Sequence, residues 1–534
     1  MSELIDISEL LDAPRRRTIS YYLVFIFLIL PLWSVVPFSW AYVLYTIAYS
    51  RITSTNVAFF AIMFCEAAFS VYHAILSYRV SEPCTQPPGK LNELQIAFAR
   101  VLKAGLAQLP EEGFDEETTA CPRPGSPAEE IVQLEAHDPR AIDFRDTLRT
   151  WFGRVPWSSI TLHEVRQWLF WSMFNRDLPP PETLPEAHRV AMDDALTLLQ
   201  KRLGKEIPEG RSPHIKPLRL TLDPVNIYSR PFTFYALVAL VNIYIKLTFK
   251  RDMHFLRSSF DGLEYLIRIP PEWSHSSAKR PIVFFHGLGL GLFQYHVLLC
   301  HLAETFTDRP LLIPLQPHIS QDIFHPRFLM PMTRRETADK MARLLSSLGW
   351  AQLERTSDSS EEDETVGSQS KKARQGITLL SHSNGSYAHA WMLKDYPHMV
   401  TRSCFVDPVT FCSWEGDVCY NFIYRSPTTG PELIVRYFVG TELGVANLLQ
   451  RHFDWSSNSL WFEEIPNARD PSKAFFLLGG KDSILNAERV KKYLTSHGVR
   501  KGLFFDPNAL HGQALLMGGE GHDRVIQWLK DSDC

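Results

Sequence analysis

The stretch ITLLSHSNGSYAHAW, residues 377–391, predicts a strand, a tight turn and a helix in that order. This order is what a nucleophile elbow needs, in which a serine lies at the apex of a strained turn and small residues flank it two positions away. Ser383 is the apex here and Gly385 is one small neighbour, while Ser381 stands where the usual pattern has glycine. The pattern alone is common by chance, so the rest of the chain decides whether Ser383 is a nucleophile.

The overall composition excludes several classes of protein. The chain has 534 residues, enough for two or three domains, and a formal net charge of only -4, so nothing indicates nucleic acid as a partner. Its eight cysteines show no CxxC spacing and are interpreted as reduced thiols of an intracellular protein. We therefore expect neither a metal nor a cofactor, and the sequence does not indicate an oligomeric state.

Residues 1–80 are expected to form a membrane-anchoring region of one or two transmembrane helices. Three arginines precede 33 uncharged residues, 18–50, which exceed the roughly 20 residues that a helix needs to cross a bilayer. That run is too long for a typical cleaved signal peptide. Residues 52–78 are interrupted only by Glu66 and His73, and form either a second span or a helix on the membrane surface.

Orientation follows from the positive charges that flank these segments. The arginines at 15–17 place the N-terminus in the cytosol by the positive-inside rule. Two spans return the chain to the cytosol, whereas one span leaves the remainder in the lumen. The only glycosylation sequon begins at Asn384, inside the elbow, where a glycan does not fit. We therefore expect an intracellular membrane, such as the endoplasmic reticulum, with the catalytic part facing the cytosol.

Residues 81–250 are expected to form a helical linker or cap region. Thr161 and Glu164 have the spacing of a capping box, and the apolar stripe after them predicts a packing surface. The uncharged run at 231–245 is short for a span. A helix over 231–249 fits equally well as an interfacial helix with a basic edge or as an ordinary buried helix.

Residues 251–534 show short apolar strands alternating with helices, which predicts a mainly parallel, doubly wound sheet of eight strands. The first two strands are spaced as a hairpin around Asp261-Gly262. The candidate strands cover residues 255–259, 263–269, 281–286, 310–315, 376–382, 403–407, 473–479 and 501–505. The candidate helices cover residues 292–305, 333–348, 386–396, 486–497 and 521–531.

Two insertions interrupt this alternation. Residues 354–374 are acidic, rich in serine and almost without apolar residues, so they predict a disordered surface loop. Phosphorylation of its serines is the weaker alternative to a plain solvated loop. Residues 412–470 are rich in aromatic residues and helical in pattern. An insertion at that edge of a parallel sheet is expected to form a helical lid over an active site.

A serine nucleophile needs a general base and a group that orients the base. Asp482 follows the seventh candidate strand and His511 follows the eighth, so Ser383, Asp482 and His511 each come after the end of a different strand. The carboxyl ends of parallel strands share one edge of the sheet. The three side chains are therefore expected to converge, although 99 and 29 positions separate them in the sequence.

The stretch PIVFFHGLGLG, residues 281–291, is suited to form an oxyanion loop. His286, Gly287 and Gly289 follow a buried strand, and glycines let the backbone turn its N–H groups toward a ligand. We expect the amides of Leu288 and Asn384 to be the two donors of an oxyanion hole. The glycine spacing is not GxGxxG, which disfavours a dinucleotide site.

With these motifs in place, residues from about 255 to 534 resemble the α/β-hydrolase superfamily. The resemblance implies acyl transfer through a covalent serine ester, with Ser383 as nucleophile, His511 as base and Asp482 as the acid that fixes the imidazole tautomer. The segments at 150–174 and 407–425 are similar to membrane-anchored fungal members of that superfamily whose substrates are undefined.

Other polar residues compete with this interpretation. Asp407 follows the sixth candidate strand and is an alternative triad acid, because some hydrolases place the acid there; the other interpretation is a structural hydrogen-bonding role. His382 and His389 flank the elbow and are interpreted as packing or supporting residues. His296 and His301 lack the glutamate and the third ligand of a zinc protease.

The leading hypothesis is a membrane-anchored serine hydrolase that cleaves a carboxylic ester of a lipid or another apolar acyl compound. The membrane segment and the aromatic lid favour an apolar substrate. A thioesterase, an acyltransferase on the same fold and a catalytically inactive membrane scaffold remain the alternatives. A scaffold is expected to lack a triad member, and none is missing here.

Overall fold

The computed structural model describes residues 5–84, 91–103, 131–277, 279–353 and 376–531. The predicted disordered loop at 354–374 lies outside the described residues. Labels are given below to the helices of at least nine residues.

Two long apolar helices open the chain and pack on each other as a hairpin. They are α1, Ile19–Ala48, and α2, Val57–Ser81, and both are long and apolar enough to cross a membrane. The indole of Trp40 donates to the Ser70 hydroxyl across the pair (3.0 Å). A π-helical turn, Phe25–Ile29, precedes Pro31 and lets the helix continue past a residue that lacks an N–H.

A helical region follows and packs around a shared aromatic core. It contains α3 (Leu91–Lys103), α4 (Pro139–Leu148), α5 (Leu162–Phe174) and α6 (Glu186–Leu203). The predicted stripe on α5 is buried, as expected of a packing surface. The predicted capping box is wrong: the Thr161 hydroxyl contacts the Glu164 carboxylate itself, and Glu164 accepts the backbone N–H of Ser212 instead (3.0 Å).

The next helix, α7, spans Phe232–Asp252 and is also long and apolar enough to cross a membrane. The helix predicted over 231–249 is present, continues through Lys246 and ends three residues later than predicted, and the two alternatives of an interfacial helix and a buried helix stay predictions. One face is buried against the following domain and the opposite face is exposed and apolar. The exposed residues are Leu237, Leu240, Ile243, Tyr244 and Leu247.

Glu66 lies within α2, where an unpaired carboxylate is costly. It is fully buried, and its two oxygens accept the backbone N–H groups of Phe232 (2.6 Å) and Thr233 (2.8 Å). These are the first residues of α7, so the carboxylate satisfies the unpaired N–H groups and the positive dipole end of that helix. Glu66 thereby joins the hairpin to α7.

The C-terminal half contains one sheet of eight strands in the order β1-β2-β4-β3-β5-β6-β7-β8. β2 is antiparallel to both of its neighbours and the other pairs are parallel. The strands are β1 (Leu256–Phe260), β2 (Leu263–Arg268), β3 (Ile282–Phe285), β4 (Leu311–Pro314), β5 (Ile377–His382), β6 (Val400–Val406), β7 (Ala474–Gly479) and β8 (Leu503–Asp506). This is the α/β-hydrolase fold, and it confirms the fold class expected from the sequence.

Helices cover both faces of the sheet and bury two separate apolar layers against it. Each lies within two residues of a predicted segment, because its apolar positions repeat at helical spacing. They are α8 (Leu292–Thr305), α9 (Arg334–Ser347), α10 (Gly385–Asp395), α12 (Ala487–Ser496) and α13 (Glu520–Lys530), with α11 (Leu443–Arg451) in the insertion between β6 and β7.

The helical region is fastened to that insertion and to the sheet domain. The indole of Trp151 donates to the Trp414 carbonyl (3.0 Å). Arg489 on α12 donates to Asp143 of α4 (2.6 and 2.8 Å) and to Glu415 of the insertion (2.8 Å). We call Arg489, Asp143 and Glu415 the buried ion cluster; burial raises the pKa of Glu415 to about 7, although the Arg489 charge lowers it.

Both ends of the α1–α2 hairpin rest on the same insertion. The backbone N–H of Thr18 donates to the Thr428 carbonyl (2.9 Å), and Arg15 pairs with Glu432 (2.5 Å). At the other end, the Arg451 guanidinium donates to the Val80 carbonyl (2.9 Å). The chain therefore enters and leaves the hairpin on the same side of it.

Candidate active site

The elbow lies where β5 passes into α10. Ser383 is at the apex with φ +52°, a strained value for a residue other than glycine. Gly385 begins α10, and a Cβ atom at this position would lie 2.2 Å from the carbonyl oxygen of Phe285 on β3. Only glycine fits there, because the helix starts against the neighbouring strand.

Ser381 is part of a buried hydrogen-bond network. Its hydroxyl lies 2.9 Å from Nδ1 of His389, and Nε2 of His389 lies 3.0 Å from the hydroxyl of Ser403 on β6. The His389 ring also stacks on Phe405, with ring centroids 4.0 Å apart. The serine that replaces the usual glycine therefore supplies a partner for a buried histidine and leaves the elbow turn intact.

Ser383, His511 and Asp482 form one chain of hydrogen bonds. The Ser383 Oγ lies 2.8 Å from His511 Nε2, and His511 Nδ1 lies 2.5 Å from Asp482 Oδ2. The second oxygen of Asp482 accepts the backbone N–H groups of Ile484 (2.7 Å) and Leu485 (3.2 Å). These amides fix the carboxylate, which in turn fixes the plane of the imidazole.

The charge state of His511 is set by opposing effects. Burial lowers the pKa of His511, but the charge and hydrogen bond of Asp482, together with the charge of Asp407, raise it to about 9. The Asp482 side chain is completely buried, so its charge is poorly screened by solvent.

Asp407 has φ +43° and directs its carboxylate to two backbone amides. One oxygen accepts the N–H of Gly479 (2.8 Å) and the other accepts the N–H of Gly512 (2.7 Å). Burial raises the pKa of Asp407 to about 6, although the charge of His511 lowers it. In the described part of the chain, the carboxylate that hydrogen-bonds to His511 is that of Asp482, and Asp407 instead holds the backbone beside His511.

One potential ligand atom each from Asp407, Asp482 and His511 lies within 4.8 Å of the others, a spacing that a cation could also use. Both nitrogens of His511 and both oxygens of Asp407 already have hydrogen-bond partners. The hydrogen-bonded chain accounts for the cluster without a metal ion.

The oxyanion loop follows β3 and is held by several hydrogen bonds. The N–H of Gly287 donates to the Tyr295 hydroxyl (2.9 Å), and the N–H of Gly289 donates to the Ile319 carbonyl (3.0 Å). The N–H groups of Leu288 and Asn384 meet no acceptor within the described residues. The sequence predicts these two amides as the oxyanion donors, and that role stays a prediction.

Two histidines contact the oxyanion loop or the tyrosine that is hydrogen-bonded to it. His382 Nδ1 lies 2.7 Å from the Tyr295 hydroxyl, the same hydroxyl that accepts the Gly287 N–H. Burial and the charge of His511 hold the pKa of His382 well below its usual range, so the ring that contacts the Tyr295 hydroxyl is neutral. His286 is buried and its Nδ1 lies 2.9 Å from the Gly287 carbonyl oxygen.

A narrow apolar cavity of about 40 Å³ opens beside Ser383. At ~10–15 Å³ for each water, it holds only a few small molecules. Residues of the insertion form much of its wall, which also includes Leu220 of the helical region and Leu288 of the oxyanion loop. The insertion residues in this wall are Val418, Cys419, Phe422, Ile423, Leu449 and Phe453.

A second cavity of about 410 Å³ adjoins the first and shares Asn384, Tyr387, Leu449 and Phe453 with it. Polar and charged side chains, among them His318 and Arg334, line this larger space. Asn384 therefore lies in the wall between the two cavities.

Several residues of the site were not found from the sequence. Tyr295, Gln294 and Asn242 all bond to the oxyanion loop, and Leu220 joins the pocket from a distant segment. No local pattern marks such residues, since each is defined by a contact between separate elements. The pair His296 and His301 is not brought together: His301 contacts His522 (2.6 Å), and His296 stacks on Phe249.

Comparisons with known proteins give structural likeness only. No family model matches the sequence, and no curated protein matches it. A solved bacterial membrane phospholipase A, described as a virulence factor, is similar over 56% of this chain and 92% of its own, with 13% identity and a TM-score of 0.34. Carboxylesterase CesB of Bacillus subtilis is similar over 55% of this chain and 98% of its own, with 13% identity and a TM-score of 0.33. Naproxen esterase of Bacillus subtilis covers 55% and 96%, with 13% identity and a TM-score of 0.33.

Proposed function

We propose that this protein is a membrane-anchored serine hydrolase that cleaves a carboxylic ester of a lipid or another apolar acyl compound. The observation that carries the proposal is the hydrogen-bonded chain from Ser383 through His511 to Asp482. At the Ser383 end of this chain lie two backbone N–H groups, those of Leu288 and Asn384, that meet no acceptor within the described residues. A nucleophile, a base, an orienting acid and an oxyanion hole are the parts that acyl transfer needs.

In the first half of the reaction, neutral His511 takes the Ser383 proton on Nε2 while Oγ attacks the ester carbonyl carbon. The carbonyl oxygen becomes an oxyanion and accepts the N–H groups of Leu288 and Asn384. The tetrahedral intermediate then collapses, the bond to the alkoxide breaks, and His511 returns the proton to the departing alcohol. An acyl-enzyme ester on Ser383 remains.

In the second half, His511 takes a proton from water and the hydroxide oxygen attacks the acyl carbon. The carbon bond to Ser383 Oγ breaks, His511 returns the proton to Oγ, and the carboxylic acid leaves. Asp482 stays ionised throughout and stabilises the imidazolium at each step.

Two features support an apolar acyl group. The cavity beside Ser383 is lined almost entirely by apolar side chains, many of them from the insertion. Three helices in the same chain are long and apolar enough to cross a membrane. The cavity is narrow, so a long acyl chain requires the insertion to move outward before it binds.

The hairpin supports a cytosolic catalytic domain. Both of its ends contact the insertion, so an arrangement in which the hairpin crosses the bilayer twice and α7 does not cross it keeps the N-terminus and the catalytic domain on one side. Arg15, Arg16 and Arg17 precede the hairpin and Arg79 lies near its end, while Arg51 alone occupies its tip. The positive-inside rule places the more positive side in the cytosol.

The test is labelling of the full chain in membranes with a fluorophosphonate probe, comparing the wild type with Ser383→Ala, Asp482→Asn and Asp407→Asn. We expect the wild type to label, Ser383→Ala to abolish labelling, and Asp482→Asn to slow it by about 10³-fold or more. Asp407→Asn should slow it less, because Asp407 makes no hydrogen bond to His511. A folded wild-type protein that does not label would refute the proposal in favour of an inactive scaffold.

A further inference from the structure

The oxyanion loop is bonded from outside by a residue of α7. The Asn242 side chain donates from Nδ2 to the carbonyl oxygen of Leu290 (3.0 Å), and its Oδ1 accepts the backbone N–H of Phe293 (3.2 Å). Its Nδ2 also lies 3.0 Å from the Val238 carbonyl, one turn earlier in α7. One amide side chain thus bridges the two backbone groups on either side of Gly291, where the loop turns into α8.

The loop needs such support because of its composition. Three glycines, Gly287, Gly289 and Gly291, alternate with other residues, and glycine loses more conformational freedom on ordering than any other residue. Gly289 and Gly291 have φ of +145° and +67°, values that favour glycine. The donor amide of Leu288 lies between the first two glycines, so its direction depends on what holds the loop.

The other supports of the loop are of two kinds. Gln294 and Tyr295 belong to α8, the helix that continues the loop, so they move together with the loop. Gln294 accepts the Leu290 N–H (2.8 Å) and donates to the Leu288 carbonyl (3.0 Å). The Gly289 N–H reaches a main-chain carbonyl, that of Ile319. Among the described residues, Asn242 is the side chain that ties this stretch of the loop to a different helix.

The location of Asn242 also requires an explanation. α7 exposes an apolar face, and an amide in an apolar helix is costly unless its polar atoms are paired. Asn242 turns away from that face, and each of its polar side-chain atoms has a partner. An aliphatic residue would serve helix packing alone equally well.

We infer that Asn242 is a positioning residue for the oxyanion hole, acting through the Leu290 carbonyl and the Phe293 N–H to aim the Leu288 amide at the developing oxyanion. This inference rests on the proposed function. It assigns α7 a part in catalysis, because the helix carries the side chain that fixes the loop.

The test uses the full chain in lipid vesicles, with a short-chain p-nitrophenyl ester as the probe substrate. The variants are Asn242→Leu, which removes both hydrogen bonds at similar volume, and Asn242→Asp. Tyr244→Phe is the matched control, since Tyr244 is on the same helix and its side chain is exposed. The end point of fluorophosphonate labelling gives the fraction of active molecules in each preparation.

For Asn242→Leu we expect kcat per active molecule to fall about tenfold to a hundredfold, short of the ~10²–10³ lost with a whole oxyanion donor. KM should stay within about twofold, because the interaction is made in the transition state. Tyr244→Phe should match the wild type.

The pH dependence of the activity of Asn242→Asp distinguishes a positioning role from a packing role, because a residue that only packs would not give such a dependence. A protonated carboxyl donates to the Leu290 carbonyl and accepts the Phe293 N–H, as the amide does, whereas a carboxylate repels the Leu290 carbonyl. The activity of Asn242→Asp relative to the wild type should therefore rise as the pH falls.

An unchanged kcat per active molecule in Asn242→Leu, or a relative activity of Asn242→Asp that does not change with pH, would overturn the inference while leaving the hydrolase proposal in place. A wild type that neither labels nor hydrolyses the ester would instead remove the proposed function itself.

Discussion

The pH dependence of catalysis tests the electrostatics of the site most directly. In the proposed mechanism His511 must be neutral to accept the Ser383 proton, and the pKa of His511 is raised to about 9. At pH 7 only about 1% of a group with that pKa is neutral, so kcat/KM should rise about tenfold per pH unit from 7 to 8 and reach half its maximum near pH 9.

The raised pKa of His511 also makes the stability of the folded protein depend on pH. The pKa of His511 is raised from its ordinary value of 6.5 to about 9. At 1.36 kcal/mol for each pKa unit, this is about 3 kcal/mol in favour of the folded imidazolium. Because the folded pKa is raised, this contribution is fully present below about pH 6.5 and is lost as the pH rises through 9.

Asp482→Asn separates the effect of Asp482 on the pKa of His511 from the effect of burial. It removes the carboxylate whose charge and hydrogen bond raise the pKa of His511. Burial, which lowers that pKa, then dominates, so the pH at which the rate is half-maximal should fall well below that of the wild type. The maximal rate should fall by about 10³–10⁴-fold, because the amide favours the wrong imidazole tautomer.

The assay is the initial rate of hydrolysis of a neutral p-nitrophenyl ester between pH 6 and 10, with stability at each pH checked by return to pH 8. A wild-type profile that is half-maximal at or below pH 7, or a midpoint that Asp482→Asn leaves unchanged, would refute the electrostatic reasoning.

Three further predictions follow from particular contacts. Gly385→Ala places a Cβ 2.2 Å from the carbonyl oxygen of Phe285, so it should abolish fluorophosphonate labelling or prevent folding, as seen by labelling and by the yield of folded protein. Arg489→Leu strips the buried ion cluster of its cation and should destabilise the protein by about 3–5 kcal/mol in denaturant unfolding. Ser381→Ala leaves His389 Nδ1 without its hydroxyl partner and should lower the free energy of unfolding by about 1–3 kcal/mol while Ser383 still labels.

The first two of these predictions each have a matched control. Gly519→Ala adds a methyl group whose nearest neighbour lies 3.5 Å away, and it should label normally. Lys491→Leu is on the same helix as Arg489 but partly exposed, so its effect on unfolding should be within about 0.5 kcal/mol. Gly385→Ala that labels like Gly519→Ala, or Arg489→Leu as stable as Lys491→Leu, would contradict the structural argument.

Local patterns were sufficient for most of the sheet domain. Short apolar runs between turn residues predicted all eight strands, and helical spacing predicted the five flanking helices, because burial against a sheet imposes a period that the sequence shows directly. The order Ser383, Asp482, His511 was also readable, since the ends of parallel strands share one edge. The structure extends α7 three residues beyond the predicted end at 249, because its last turn carries Lys250 and Arg251 outside the uncharged run.

The sequence by itself determined the fold class, the apolar helices and the residue types for acyl transfer, because these depend on periodicity, length and chain order. Only the tertiary structure decided that Asp407 holds the backbone next to His511, that Ser381 pairs with a buried histidine, and that Glu66 caps a distant helix. The link from Asn242 to the oxyanion loop is of the same kind. Each of these is a hydrogen bond between elements far apart in the chain, and the desolvation that makes such a bond obligatory exists only once the elements have packed.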